Sequence, residues 1–211
     1  MMTTAVLSIL ALAAALLAVR AEYRGPRPLV YVCKPLTVVL IILVALQAKN
    51  ATPDAYKILI VVGLLFSLAG DVFLMLPRDR FVAGLASFLV AHLCYVAAFA
   101  SDGEITLSAW AGAALALYGA SMLRLLWPRL GGLKWPVAVY VLVILLMAWA
   151  AASRFLLAAP AGGGLAAAGA LLFVLSDTLL AWNRFKGPFR AAQALVLSTY
   201  FAAQWLIALS T

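Results

Sequence analysis

The sequence predicts an all-α membrane protein, a polytopic bundle of eight transmembrane helices. Of the 211 residues, 67% are hydrophobic and only 10% are charged, whereas a soluble domain carries about 25% charged residues. Apolar runs recur along the chain, each close to the ~20 residues that a helix needs to cross a bilayer. Lipid offers no hydrogen-bond partner to the backbone, and the alternation typical of a β-barrel is missing. The runs are therefore predicted to be helices.

The eight runs make up a single transmembrane domain that covers residues 1–211. The first run has no basic residue before it, which argues against a secretory signal and favours a true span. Proline, glycine or charged residues interrupt the apolar pattern between runs, and the connections are short. In order, the predicted spans are 3–19, 29–47, 56–76, 82–100, 106–126, 135–153, 164–182 and 190–209.

The basic residues predict the orientation in the membrane. Most of them lie at the odd-numbered connections: Arg20, Arg24, Arg27, Arg78, Arg80, Arg124, Arg129, Lys134, Arg184, Lys186 and Arg190. The even connections hold only Lys49, Lys57 and Arg154, and the fourth is acidic, with Asp102 and Glu104. By the positive-inside rule the odd connections are cytoplasmic and both termini lie outside. Topology thus explains the net charge of +8 better than nucleic-acid binding does.

A weak internal repeat relates the third and seventh spans. The run GLLFSLAGDVFLML from Gly63 resembles GALLFVLSDTLLAW from Gly169, and each contains an aspartate, Asp71 or Asp177. The spans before the two acid helices each carry an early proline, and the spans after them also correspond roughly. We therefore expect two four-helix halves in the same orientation, as parallel repeats.

Four ionisable residues lie inside the predicted spans, where each costs a few kcal/mol unless it has a partner or a function. They are Lys34, Asp71, His92 and Asp177. With the predicted topology, all four lie in the cytoplasmic half of the bundle. Gly63, Ser67 and Asp71 share one helix face at i, i+4 and i+8, and the seventh span repeats this spacing up to Asp177. We expect the polar faces to enclose an interior pocket.

Each of these residues also has a purely structural interpretation. Lys34 could extend to the membrane surface, or act as a counter-ion or phosphate ligand. His92 could be an interhelical hydrogen-bonding residue, and Tyr95 and Tyr200 could be structural donors. The aspartates could pair with Lys34 or His92 and only join helices. The two cysteines, Cys33 and Cys94, are expected to be packing residues.

Several motifs in order resemble one known family. They are CKPLT at 33–37, GDVFLML from Gly70, FVAGLASFLVAHLCY at 81–95 and GALLFVLSDTLLAWNRF at 169–185. From about residue 30 onward the chain is similar to the YhhN family of membrane proteins, which includes lysoplasmalogenases. The resemblance implies eight spans and hydrolysis of the vinyl ether bond of a lysoplasmalogen, giving a fatty aldehyde and glycerophosphoethanolamine or glycerophosphocholine.

The resemblance matches the family's acids to Asp71 and Asp177, and its lysine and histidine to Lys34 and His92. Two carboxyl groups suit the chemistry, because one can protonate the alkene while the other stabilises the cation and activates water. Our hypothesis makes Asp177 the base, with Ser176 and Asn183 orienting a water and His92 as an alternative proton donor. Lys34 and Arg184 would hold the substrate phosphate.

The remaining predictions concern substrate contacts, cofactors and location. Tyr95 and Tyr200 complete the predicted substrate-binding set. The sequence contains no zinc-ligand cluster, phosphate loop or serine elbow, so a hydrolase without metal or cofactor is the simplest interpretation. A lysophospholipid and membrane lipids are the expected partners, in a bacterial inner (cytoplasmic) membrane. An ion- or proton-coupled transporter that uses the same carboxylates is the alternative, and a scaffold protein is a third.

Overall fold

A computed structural model describes residues 2–48, 52–101 and 107–211. Within these ranges the chain forms eight long helices, each apolar and long enough to cross a membrane. They are α1 (Met2–Arg24), α2 (Arg27–Gln47), α3 (Asp54–Met75), α4 (Phe81–Ala100), α5 (Ala109–Leu126), α6 (Lys134–Ala158), α7 (Gly163–Ala181) and α8 (Ala192–Leu209). The predicted all-α integral membrane fold is confirmed. Lys49, Asp102 and Glu104 lie outside the described residues.

Helix ends differ from the predicted spans mainly in α1 and α6, which are longer. Arg154, predicted in a connection, lies within α6, where its guanidinium stacks over the Tyr56 ring at 4.8 Å. Lys57 was counted with another connection but already falls within the predicted span 56–76. It lies in the first turn of α3, and its ammonium donates to the carbonyls of Leu46 and Ala48 at 2.9 and 2.8 Å. These contacts let each charge remain inside a helix, so the assignment of Arg154 to a connection was wrong.

Helices that are adjacent in sequence pack together most extensively, above all α3 with α4 and α7 with α8. Small residues allow this close approach. A side chain at Gly63 would overlap the Tyr95 ring, and one at Gly169 would overlap the α8 backbone at Ala203. A hydroxyl group also links α4 to α3, since Ser87 donates to the carbonyl of Phe66 at 2.8 Å. Small residues at helix contacts are typical of proteins in lipid.

The ends of α1, α3 and α7 and the starts of α2, α4 and α8 lie at the same end of the bundle, where their side chains line one cavity. This is the end predicted to be cytoplasmic. After α7 the chain continues into one turn of π-helix, Trp182–Lys186, before the connection to α8. Such turns recur at functional sites, and this one carries Asn183 and Arg184. The predicted repeat of two halves stays a prediction.

Candidate active site

A cavity of about 590 Å³ opens at this end of the bundle, and both predicted acids lie in its wall. Asp71 comes from α3 and Asp177 from α7, one helix from each predicted half. Five further predicted site residues line the same cavity: Lys34, Ser176, Asn183, Arg184 and Tyr200. The chain thus brings seven of the nine predicted residues to one space.

Asp71 has a partner on each of its carboxylate oxygens. The Lys34 ammonium on α2 lies 3.0 Å from Oδ1, and the Tyr200 hydroxyl on α8 donates to Oδ2 at 2.7 Å. Asp71 is almost fully buried and Lys34 is 9% exposed. A charge buried in lipid is tolerated when an opposite charge and a hydrogen bond compensate it. Lys34 therefore neutralises Asp71 and does not extend to the membrane surface.

Asp177 has a different environment. The Tyr140 hydroxyl on α6 donates a hydrogen bond to its Oδ2. Its Oδ1 has no hydrogen-bond partner among the described residues, and no lysine or arginine forms an ion pair with it there. Asp177 is also partly exposed. One of its oxygens is therefore open to a bound molecule.

The residues expected to assist Asp177 are bound to the backbone. The Ser176 hydroxyl donates to the carbonyl of Val196 at 2.9 Å, which ties α7 to α8. The Asn183 side-chain oxygen accepts the backbone N–H of Phe189 at 3.3 Å and so orders the chain after the π-turn. Both residues line the cavity, but these contacts serve the structure around Asp177.

His92 and Tyr95 lie outside the cavity, deeper in the bundle, and both are fully buried. The Tyr95 hydroxyl donates to the side-chain oxygen of Gln204 at 2.7 Å. Neither ring nitrogen of His92 has a hydrogen-bond partner in the described ranges. Its ring packs edge-on against Phe173 and Tyr140, with centroids 4.6 and 5.3 Å away. His92 thus makes no hydrogen bond to Asp177, but its ring contacts Tyr140, which does.

Charged side chains of both signs surround the mouth of the cavity: Glu22, Arg27, Asp79, Arg80 and Arg184. Arg184 binds Asp79 at 2.5 Å and stacks over the Phe81 ring at 5.0 Å. The hydrogen bond from Arg184, aided by the backbone N–H of Phe81, holds the pKa of the Asp79 carboxyl below its usual range. Asp79 is therefore ionised at neutral pH, and the pair joins the α3–α4 connection to the π-turn.

A second, apolar pocket of about 70 Å³ meets the cavity at Asp177. Most of its wall is formed by side chains of α4, α5, α6 and α7, with Leu74 of α3 and Phe185 of the π-turn. Sequence reasoning missed this pocket and missed Tyr140. The only signal for Tyr140 was a hydroxyl group in an apolar span, which needs a partner in lipid. Within the described part of the chain, no cluster of histidine, cysteine, aspartate and glutamate is suited to a metal ion.

Comparisons with known proteins agree with the motifs. The model of the YhhN family matches residues 29–211. The chain belongs to the YhhN family. It is 35% identical to the uncharacterized membrane protein YhhN of Escherichia coli O157:H7 over 191 residues, which is 90% of this chain and 91% of that protein.

Relatives in this family include mammalian proteins with a named activity. The chain is 39% identical to human lysoplasmalogenase TMEM86A over 165 residues, 76% of this chain and 67% of that protein. It is 37% identical to pig lysoplasmalogenase TMEM86B over 176 residues, 82% of this chain and 71% of that protein. No solved structure matches the chain.

Proposed function

We propose that this protein is a membrane-embedded hydrolase that cleaves the vinyl ether bond of lysoplasmalogens. One observation carries the proposal: Asp177 lies where a polar cavity meets an apolar pocket. A lysoplasmalogen has the same division, because its vinyl ether joins a polar glycerophosphate to a hydrocarbon chain. A lipid bound with its two parts in the matching environments has its reactive bond beside Asp177. The two related lysoplasmalogenases support this assignment.

The first chemical step is transfer of a proton from the Asp177 carboxyl to the alkene carbon farther from the ether oxygen. This gives an oxocarbenium ion on the carbon next to that oxygen. Asp177 suits this role because one of its oxygens is open to the bound lipid. The ionised Asp71 carboxylate, fixed by Lys34 and Tyr200, lies in the same cavity and stabilises the developing cation.

Water then completes the reaction. The Asp177 carboxylate left by the first step accepts a proton from water as its oxygen attacks the cation, which gives a hemiacetal and restores the acid. The hemiacetal collapses to an aldehyde and a free glycerol hydroxyl, so one water is consumed and no net proton. Asp177 is then acid in one step and base in the next, which includes the base role expected from the sequence.

The mouth of the cavity suits a headgroup that carries both charges. Arg27 and Arg80 can bind the phosphate, as can Arg184, whose guanidinium keeps further N–H donors beside Asp79, and Glu22 can bind the ammonium group. The Lys34 ammonium is already bound to Asp71. We therefore assign the phosphate to the arginines and give Lys34 the role of positioning Asp71. We place this mouth at the cytoplasmic face of a bacterial inner membrane, because basic residues concentrate at this end.

In the deciding experiment, the protein is purified in detergent and incubated with an alkenyl lysophospholipid or with the corresponding saturated alkyl ether. The release of aldehyde is then measured. We expect aldehyde from the alkenyl lipid alone. Asp177→Asn keeps an acceptor for Tyr140 but removes the transferable proton, so turnover should fall about 10²- to 10⁴-fold. Asp54→Asn is the matched control, because Asp54 is an exposed acid at the other end of the bundle.

Three outcomes would contradict the proposal. They are aldehyde release at an undiminished rate by Asp177→Asn, equal loss in Asp54→Asn, and cleavage of the alkyl ether. Solute counterflow in liposomes without any product would instead favour the transporter. The unbroken α3 and the location of both acids near one end of the bundle give less support to a transporter, which needs access from both faces.

A further inference from the structure

The apolar pocket beside Asp177, here called the α4–α7 pocket, is almost entirely hydrocarbon. Its wall includes Leu85 of α4, Met122 of α5 and Val141 of α6. The hydroxyl groups in the wall are bound to other protein groups. Tyr118 and Thr178 share a hydrogen bond of 2.5 Å, and Tyr140 donates to Asp177. Apart from the open oxygen of Asp177, the pocket therefore offers an apolar chain a surface whose polar groups are already hydrogen-bonded.

This pocket adjoins the polar cavity. Five residues line both spaces: Leu74, Phe81, Phe88, Asp177 and Leu180. Another apolar groove of about 440 Å³ lies among α1, α2 and α8, but it shares no lining residue with the cavity within the described part of the chain. A chain that leaves the reactive bond at Asp177 thus enters the α4–α7 pocket and not the larger groove.

Helix α5 forms one side of the pocket and is the least buried helix in its wall. Only Ala111, Gly119 and Leu126 of α5 are buried. A space of about 70 Å³ accommodates a few carbons and not a whole acyl-length chain. The rest of a long chain must therefore extend beyond the pocket, and the apolar bilayer can accommodate it.

We infer that the α4–α7 pocket binds the first carbons of the substrate's alkenyl chain, and that Met122 and Val141 determine which chains are accepted. This inference rests on the proposed function. Burial of these carbons anchors the lipid on the apolar side of Asp177 while its headgroup stays in the polar cavity. The two anchors together hold the alkene against the acid, as positioning requires.

The test compares a propenyl with a hexadecenyl lysophospholipid of the same headgroup. Met122→Trp and Val141→Phe each place a larger side chain in the pocket. We expect kcat/KM for the hexadecenyl lipid to fall about tenfold or more, while kcat/KM for the propenyl lipid changes less than about threefold. Ala202→Trp fills the groove among α1, α2 and α8 and is the matched control. It should leave the ratio of the two substrates unchanged.

A second readout does not depend on turnover. A saturated lysophospholipid with a photoreactive diazirine near the start of its chain should label residues of α5 and α6 in the wild-type protein. Labelling of α1 and α8, or an unchanged substrate ratio in folded Met122→Trp and Val141→Phe, would overturn the inference. If neither vinyl ether is cleaved but α5 and α6 are labelled, the chain site stands and the proposed reaction fails.

Discussion

The two aspartates occupy corresponding places in the two predicted halves, yet their partners differ. The helix before each acid helix supplies a side chain to the acid: Lys34 of α2 to Asp71, and Tyr140 of α6 to Asp177. A lysine neutralises the carboxylate it binds, whereas a tyrosine hydroxyl only hydrogen-bonds to it. Asp71 is therefore fixed as a charged group, and Asp177 remains able to exchange a proton. Two like residues can thus have unlike roles because a different side chain lies beside each.

The largest expected difference between the two acids is how far replacing each one by asparagine lowers the free energy of unfolding. Asp71→Asn leaves the Lys34 ammonium buried without its counter-charge, which should lower the free energy of unfolding by about 3 kcal/mol. Asp177→Asn breaks no ion pair and should change stability far less. Unfolding by SDS in mixed micelles measures both. The double variant Lys34→Met, Asp71→Asn should recover most of the loss, because it removes both charges.

Equal destabilisation by Asp71→Asn and Asp177→Asn would contradict this view of the two sites. So would a double variant that is less stable than Asp71→Asn alone, since that result would mean that Lys34 is stabilised by a group other than Asp71.

The two tyrosine hydroxyls give the next comparison. Tyr140→Phe removes the only donor to Asp177 among the described residues, so turnover should fall about tenfold or more through a misplaced acid. Tyr200→Phe removes one of two partners of Asp71, and Lys34 still holds that carboxylate. It should cost about 1 kcal/mol of stability and less activity. Aldehyde release and unfolding of the two variants, measured side by side, check the difference.

The reverse pattern would exchange the proposed roles of the acids. If Tyr200→Phe reduced turnover more than Tyr140→Phe, with both variants folded, Asp71 would be the group that transfers the proton.

The sequence predicted the parts of this site that obey simple rules. The length and hydropathy of the apolar runs predicted eight spans. The cost of a charge in lipid singled out Lys34, Asp71 and Asp177, which the fold then brings to one cavity. The sequence left open whether Lys34 was a counter-ion or extended to the surface. A contact between helices decides this question, because only the packing of α2 against α3 sets the 3.0 Å approach.

Other features have no pattern along the chain. The α4–α7 pocket is lined mainly by ordinary apolar residues of several helices, so nothing distinguishes Met122 or Val141 from their neighbours until the helices pack. Tyr140 likewise looks like any interfacial or core tyrosine. The sequence singled out His92 as a residue that needs an explanation, but its ring packs against aromatic rings and does not line the cavity.

Replacing His92 by phenylalanine is expected to have the smallest effect on stability and turnover. Because its ring contacts Tyr140 and makes no hydrogen bond to Asp177, we expect a positioning role that its shape provides. His92→Phe keeps the ring packing against Phe173 and removes two buried nitrogens without partners in the described ranges. Stability should be unchanged or rise by up to about 1 kcal/mol, and turnover should change less than about threefold.

The pH profile of turnover separates this role from proton donation by His92. If the imidazole supplied the proton, His92→Phe would abolish turnover and remove the corresponding limb of the profile, while Asp177→Asn would be the milder change. If only its shape matters, the profile keeps its form and His92→Ala, which leaves a cavity beside Tyr140, is the damaging variant. The histidine would then act as part of the wall that aims Tyr140 at Asp177, and the difference between the two halves would rest on Lys34 and Tyr140 alone.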